Sequence, residues 1–387
     1  MIASRRIALL MGPDAGFSRD VIRGVRAYAI DKKNWLLQNG PPELSVVQAI
    51  RQWKPHGLIA QLLTEELAHA VLRLRKPVVD TSCSVPWLRV PLVDVDHEAV
   101  GQMAAQYFLD RGYRHFGFFG SEWAHYSKLR EAAFRLRLAE AGHTVSACYI
   151  EYLLRVPALL EWKRAAHRVR EWLEKLSKPV GILTANDIPA RELAGACLRF
   201  GLRVPDDVAL LGVDNDDLEC GFSWPPLSSV ATPARRIGYE AAKLLDELMA
   251  GKSPPREPIL LPPIAVVTRQ STDTLAIDDP AVVAALRFIR AQATGTIRVD
   301  DVVRHAVQGR RMLEYKFRDF VGHTILEEIR RVRIERVKEL LRDTDLSMPA
   351  IARRSGFITP ERMSVVFREL TGLTPSGYRQ QAAIRDL

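Results

Sequence analysis

Between Arg6 and Met249 short apolar runs alternate with amphipathic stretches, and beyond Pro280 every segment keeps the helical period. That change of rhythm narrows what the chain can fold into more than any single motif does. Arg6–Met11, Trp35–Gln38, Gly57–Ala60, Pro77–Asp80, His115–Phe119, Val145–Ile150, Val180–Leu183 and Val208–Val213 read as strands. Between them Arg19–Ala29 sets Val21, Ile22, Val25 and Tyr28 on one face of a helix. Leu44–Trp53, Glu65–Leu74, Glu98–Leu109, Lys128–Ala141, Trp162–Leu176, Ala190–Phe200 and Arg235–Met249 follow the same plan. Strands separated by helical patterns of about 10–15 residues imply parallel sheets with right-handed crossovers. The fold class expected for this part is α/β, built as two lobes in succession. Ligands of such folds bind in the cleft at the carboxyl ends of the strands.

Composition supports a folded chain and speaks to its partners. Of 387 residues 47% are hydrophobic and 26% charged, an ordinary globular mix. No apolar run approaches the roughly 18–20 residues of a membrane span. The apolar stretch Ile7–Met11 near the start is shorter than a signal-peptide core of about 7–15 residues, so a cytoplasmic location is expected. Cys83, Cys148, Cys197 and Cys220 are far apart and have no histidine at ligand spacing. Neither a disulfide framework nor a metal is expected, and no cofactor. The net charge of +9 is uneven: Ala281–Leu387 holds 20 Lys and Arg against 13 Asp and Glu. A near-neutral large part joined to a small basic one fits a sensor or enzyme carrying a polyanion-binding module.

The loops after the strands carry the polar residues. Gly12-Pro-Asp-Ala-Gly16 lacks both the Gly-Lys-Ser/Thr ending and the G-x-G-x-x-G spacing of nucleotide loops. Asn186-Asp187 follows one strand and Asp214-Asn-Asp216 another. Carboxylates and amides there suit a polyhydroxylated ligand, and they serve equally as helix N-caps. Phe17, Trp123 and Trp224 stand in such loops as candidates to stack on a sugar face, or as cleft-wall and core residues.

At Leu210-Leu-Gly-Val-Asp-Asn-Asp216, Pro225-Pro-Leu-Ser-Ser-Val230, Arg236–Leu245 and Thr268-Arg-Gln-Ser-Thr272 the sequence resembles LacI/GalR-type and periplasmic-binding-protein sugar sensors over nearly all of 5–272. The resemblance implies ligand contacts for Asp214, for Asn186 with Asp187, and for Arg130 in Lys128-Leu-Arg-Glu-Ala-Ala-Phe134. Phe17-Ser-Arg19 resembles the first-loop pattern, so Phe17 and Arg19 join the ligand set, with Arg19 alternatively bridging the lobes or facing solvent. LacI/GalR repressors begin with a DNA-binding head, whereas this chain opens on the first sensor strand. The DNA-binding module is therefore expected elsewhere.

Ser271–Pro280 is polar and turn-rich, and it separates a sensor over 1–273 from a helical region over 281–387, with 274–280 as linker. Two sets of short helix, turn and longer helix follow, the helix-turn-helix plan, though generic helix pairs share that pattern. Ile351-Ala-Arg-Arg-Ser-Gly-Phe357, Met363 and Phe367-Arg-Glu-Leu-Thr-Gly-Leu-Thr-Pro-Ser-Gly-Tyr-Arg379 resemble the AraC/XylS signature closely. Base readers are expected in the first turns of the two recognition helices: Arg310, Arg311, Glu314 and Tyr315, then Thr359, Pro360, Glu361, Arg362 and Ser364. Arg353 and Arg354 are expected on phosphate. Gly309 stands at an N-cap where the family commonly has Ser, which caps better by a few tenths of a kcal/mol.

A LacI/GalR-type sensor ahead of an AraC-type reader is similar to the xylose operon regulators. That resemblance implies a cytoplasmic homodimer binding a double-stranded DNA operator and a small sugar, D-xylose, and activating pentose catabolism genes with RNA polymerase as a possible partner. Two other readings remain: a carbohydrate-active enzyme fused to a DNA module, which lacks a nucleophile–base set, or the same regulator type answering another small molecule. A sugar-transport component is disfavoured by the helix-turn-helix pair.

Overall fold

The computed structural model describes residues 4–150, 158–273, 279–295, 297–344 and 346–385, without the side chains of 158–164, 342–343 and 381–385. Residues 274–278 of the expected linker lie outside the described residues. The chain divides into two compact units, Met1–Ala276 and Ile277–Leu387.

In the first unit, β1 (Arg5–Leu10), β2 (Trp35–Gly40), β3 (Gly57–Ala60) and β4 (Val78–Asp80) form a parallel sheet in the order β2-β1-β3-β4. The helices α1 (Gly16–Lys32), α2 (Leu44–Trp53) and α3 (Glu65–Leu72) connect them. Next to β4, through the parallel bridge Asp80–Leu92, comes β5 (Val93–Val95). The chain then enters a second lobe with α4 (His97–Leu109), β6 (His115–Gly120), α5 (His125–Glu140), β7 (Val145–Tyr149), α6 (Ala158–Lys175) and β8 (Val180–Thr184). It continues through α7 (Asp187–Arg199), β9 (Val208–Asp214), α8 (Asp217–Phe222) and β10 (Ser228–Ala231). Afterwards α9 (Ala234–Met249) and β11 (Ile259–Leu261) return to the first lobe, where β11 pairs with β5, and β12 (Ala265–Val267) goes back to the second. The second sheet runs β12-β10-β9-β8-β6-β7, with β12 antiparallel.

The lobes are therefore not two consecutive blocks. Three segments cross between them, near 95–97, 231–234 and 261–265, and they are tied by Asp96 N–H to Leu261 O (2.7 Å) and Ile264 N–H to Ala231 O (2.8 Å). The strands β5, β10, β11 and β12, three or four residues long, were not among the expected strands, because they lie outside the regular strand–helix alternation. Fully buried Phe108, Phe116, Phe118, Phe119 and Phe134 fill the second lobe around β6. Thr64 and Asp96 cap α3 and α4 by accepting from Leu67 N–H (3.2 Å) and Ala99 N–H (2.9 Å).

The second unit is all helix among its described residues: α10 (Pro280–Gln292), α11 (Val299–His305), α12 (Arg310–Val321), α13 (Ile325–Asp343), α14 (Met348–Arg354), α15 (Pro360–Thr371) and α16 (Pro375–Arg385). The long α13 serves both halves. Its Ile325 and Ile329 are buried, while Ile334, Val337, Leu340 and Leu341 share a core with Ile351, Met363, Val366 and Phe367. Helices α12 and α15 are twelve residues each and both stop at a left-handed glycine, Gly322 (φ 83°) and Gly372 (φ 74°).

The turns that lead into them differ. The α14–α15 turn places Gly356 at φ 80°, whereas the α11–α12 turn places Val307 at φ 50°. A β-branched residue in the left-handed region is strained, and Val307 is 90% exposed, so its side chain recovers nothing by packing. Gly309, the N-cap of α12, supplies no side-chain bond either. Val307→Gly is expected to raise the stability of the second unit by about 1 kcal/mol, net of glycine's unfolded-state entropy. Urea unfolding checks this, and an unchanged or lower midpoint refutes it.

Candidate functional site

The site is built where the strand ends of the two lobes face each other. Helix α5 brings Arg130 and Tyr126, β8 leads to Asn186, and β9 ends on Asp214. Arg130 is 3% exposed. It donates from Nη1 to Ala185 O and from Nε to His97 Nδ1 (3.3 Å), and its guanidinium lies 5.0 Å from the Tyr126 ring centre. Its Nη2 faces Asp214 Oδ1 at 3.7 Å, an ion-pair distance too long for a hydrogen bond. Asn186 donates to the Tyr126 hydroxyl (3.3 Å). Asp214 Oδ1 and Asn186 Oδ1 are buried and have no hydrogen-bond partner among the described residues. Each such acceptor costs about 1–3 kcal/mol until something donates to it.

Asp214 sits in an unusual backbone. It has φ 102° and Asn215 φ 56°, so two consecutive non-glycine residues are left-handed. The turn persists because its surroundings over-determine it. Ser229 Oγ accepts from Asn215 N–H (2.9 Å) and donates to Asp187 Oδ1 (2.6 Å). Asp187 Oδ2 accepts from Asp216 N–H (2.8 Å), and Arg269 donates to Asn215 Oδ1 (2.8 Å). Asp187 thus has both oxygens on protein donors and works as the anchor of the turn. Gly212 leaves it room, because a Cβ there would stand 2.0 Å from Asp187 Oδ1.

The remaining expected residues are dispersed. Arg19 bridges the lobes: its Nη2 donates to Asp216 Oδ1 (3.1 Å), while Asp216 Oδ2 accepts from Gly16 N–H (2.6 Å). Asp216 also caps α8 through Leu218 N–H (3.1 Å). Asn186, by contrast, is an N-cap residue whose side chain makes no cap bond. Phe17 is half-buried against the sensor core, and Trp123 and Trp224 are more than two-thirds exposed.

Sequence reasoning missed the first-lobe side of the site. Asp80, at the end of β4, accepts at Oδ1 from Leu62 N–H, Thr81 N–H and Ser82 Oγ (2.9–3.1 Å). Asp94 on β5 pairs with His97 Nε2 at 3.2 Å, both nearly inaccessible. The only sequence signal was an Asp at i and a His at i+3 astride a helix start. Burial pushes the carboxyls of Asp214 and Asp187 up, with Arg130 pulling the first down, and pushes Asp80 up to about 7 against the pull of its donors.

The sign of the pH effect follows. A carboxyl whose folded pKa is raised makes the native state hold a proton that the unfolded chain releases, so stability rises on acidification from about 7 toward the ordinary carboxylate range. Between pH 7.5 and 5 the Asp80 contribution is on the order of 2 kcal/mol. Glu328 in the second unit, buried yet held down to about 2 by Arg331 and His323, acts with the opposite sign, and only below about 4.5. Denaturant titrations of Asp80→Asn across this window should show a flatter pH profile than the wild type. An identical slope would remove Asp80 as the cause.

In the second unit the expected DNA readers are exposed in varying degree. Arg311, Arg353, Arg354, Glu361 and Arg362 are exposed, as is Tyr315 at 69%. Arg310 is tied to Asp300 (2.6 Å) and Glu314 (2.9 Å), so the Arg310 and Glu314 charges are paired with protein groups. Thr359 caps α15 by accepting from Arg362 N–H (3.3 Å), with Pro360 in its first turn, and Ser364 donates back to Pro360 O (2.9 Å). Ile358 (90% exposed), Met312 and Val365 (49% each) were not anticipated and add apolar surface beside them.

Residues 105–272 match the periplasmic binding protein-like domain and 302–381 a helix-turn-helix domain. The xylose operon regulatory protein of Escherichia coli K12 is 30% identical over 382 residues, covering 97% of this chain and 96% of that protein. The chain belongs to the xylose operon regulator family. The Haemophilus influenzae member is also 30% identical, covering 97% of this chain and 98% of its own. A solved structure of a xylose-binding transcription activator superimposes with a TM-score of 0.78 at 29% identity over 98% of both chains. The two domain matches give this chain a periplasmic-binding-protein-like α/β part followed by a C-terminal helix-turn-helix region. Among the described residues no helix is long and apolar enough to cross a membrane.

Proposed function

We propose that this chain is a cytoplasmic, non-enzymatic transcription activator that binds D-xylose in the sensor and an operator through its two helix-turn-helix units as a homodimer. The observation that carries the reading is the pair of buried, unpartnered acceptors, Asp214 Oδ1 and Asn186 Oδ1, beside the Arg130 guanidinium. Hydroxyls of a pentose donate to both acceptors and accept from the forked guanidinium. Asp187 shapes the turn, Arg19 holds the lobes together and Phe17 lines the first loop. Sugar shifts the sensor toward its closed form only by its differential affinity for that form, and closure is passed to the DNA readers and to RNA polymerase contacts.

Thermal shift against pentoses, hexoses and their phosphates tests the sensor. D-xylose at 100-fold over Kd should add about 2.7 kcal/mol, on the order of several degrees. A shift with another sugar alone changes the effector, and silence across the panel removes the sugar. On the DNA side, Arg362→Ala should cost about 1–3 kcal/mol and relax preference at one base pair, while Arg353→Ala should weaken all sequences alike and reduce the salt slope by about 1. Gel-shift titrations at several salt concentrations separate the two. Equal loss on all sequences for Arg362→Ala would move it to the phosphate set.

A further inference from the structure

The guanidinium of Arg130 is not held by its own lobe alone. Its Nε donates to His97 Nδ1 (3.3 Å), and His97 Nε2 meets Asp94 Oδ2 (3.2 Å). Arginine only donates, so Nδ1 must accept, the ring proton must sit on Nε2, and Nε2–H must donate to Asp94. Asp94 Oδ1 accepts from Val95 N–H (2.7 Å), so each oxygen of this carboxylate has a protein donor. Its place in the fold matters as much. Asp94 lies on β5, which pairs with β11 beside the first-lobe sheet and in register with Leu260, while His97 opens α4 of the second lobe. Between them Val95 and Asp96 form one of the three crossing segments, and Asp96 N–H is tied to a second at Leu261. Asp94, His97 and Arg130 thus make a continuous buried chain from the hinge to the guanidinium, all three at most 4% exposed.

We infer that Asp94 and His97 are positioning residues, which fix Arg130 for ligand only when the hinge has the geometry seen here. The role rests on the reading of Arg130 as a ligand-binding residue. Asp94 selects the Nε2–H tautomer, that tautomer offers Nδ1 as an acceptor, and Nδ1 aims the guanidinium so that Nη2 faces Asp214. A hinge movement that separates Asp94 from His97 frees the ring, and the guanidinium loses its aim before any ligand contact is broken.

Two measurements test this. Long-range proton–nitrogen spectra of imidazole-labelled, ligand-free protein should show His97, assigned by its loss in His97→Leu, as a neutral ring protonated at Nε2. Asp94→Ala should release it to a mixture of tautomers. Calorimetric titration with D-xylose should then show His97→Leu weakened by about 10- to 100-fold, the scale of a lost hydrogen bond to a charged group. His97→Asn, whose amide oxygen takes the place of Nδ1, should stay within about threefold of wild type. Thermal midpoints without sugar identify a variant that has simply lost its fold. A wild-type ring protonated at Nδ1, or His97→Leu binding D-xylose as wild type does, overturns the inference. If wild type takes up no D-xylose, the effector assignment fails, while the ring spectra of wild type and Asp94→Ala still decide the relay.

Discussion

Asp214→Asn should leave the sensor folded and remove its thermal response to D-xylose. The carboxylate is costly to the ligand-free protein on two counts. Oδ1 is buried without a donor among the described residues, and burial pushes the group's pKa up despite Arg130. Asparagine tolerates the left-handed backbone at φ 102° better than most residues, so the turn survives the change. The ligand-free melting midpoint is therefore expected to hold or rise by a degree or two, about 0.5 kcal/mol. Sugar affinity should drop by about 100-fold, because a charged acceptor for hydroxyls becomes a neutral amide beside the Arg130 guanidinium. DNA binding without sugar should be unchanged. A normal sugar shift in Asp214→Asn would mean that the pocket lies elsewhere, and a collapsed ligand-free midpoint would mean that Asp214 is structural.

The second large effect is steric. Helices α1 and α9 come from opposite ends of the sensor sequence and cross with their backbones in contact. A Cβ on Gly238 would stand 2.0 Å from Val21 O, and one on Gly24 would stand 1.9 Å from Arg235 O. In an exposed helix Gly→Ala stabilises by about 1 kcal/mol. Here the new methyl meets backbone, which cannot rotate away, so the helices must separate. Gly238→Ala is expected to destabilise the sensor by about 3 kcal/mol, lowering its midpoint by roughly 6–12 °C. Gly195→Ala in α7 is the control: its Cβ would meet nothing closer than Arg199 Nη1 at 3.6 Å, so it should gain about 0.5–1 kcal/mol. Differential scanning calorimetry of both variants resolves the signs, and a stabilised Gly238→Ala would refute the close crossing.

Much of the architecture was legible along the chain because it is encoded locally. Alternating strands and helices show in periodicity over ten or so residues, and both recognition helices carry a terminal glycine, with a Thr359 cap on α15. Asp214, Asn186 and Arg130 were singled out through a resemblance in the turns that hold them, and the fold gathers them around Tyr126. The strands β5, β10, β11 and β12 were not legible, since they lie outside the regular strand–helix alternation and each gains its identity from the neighbour it pairs with. Val307 was equally silent, because a valine announces no positive φ. Asp187 was read as a ligand contact or a helix cap, and Arg19 as a ligand contact, a bridge between the lobes or a solvent-facing residue. Where their charges go is a matter of which donors and acceptors, some two hundred residues away for Arg19, arrive beside them.

By itself, then, the sequence determined the α/β sensor, the helical reader and the basic bias of the latter, and it singled out Asp214, Asn186 and Arg130 as candidates. Only the tertiary structure decided that the sensor's lobes interleave, that α1 and α9 must meet through glycine, and that Asp94 and His97 stand behind Arg130. The physical reason is range. Propensity, capping and patterning act between residues within one or two turns, whereas hydrogen-bond satisfaction and steric fit in a buried cleft depend on groups that only the folded chain brings within about 3 Å of each other.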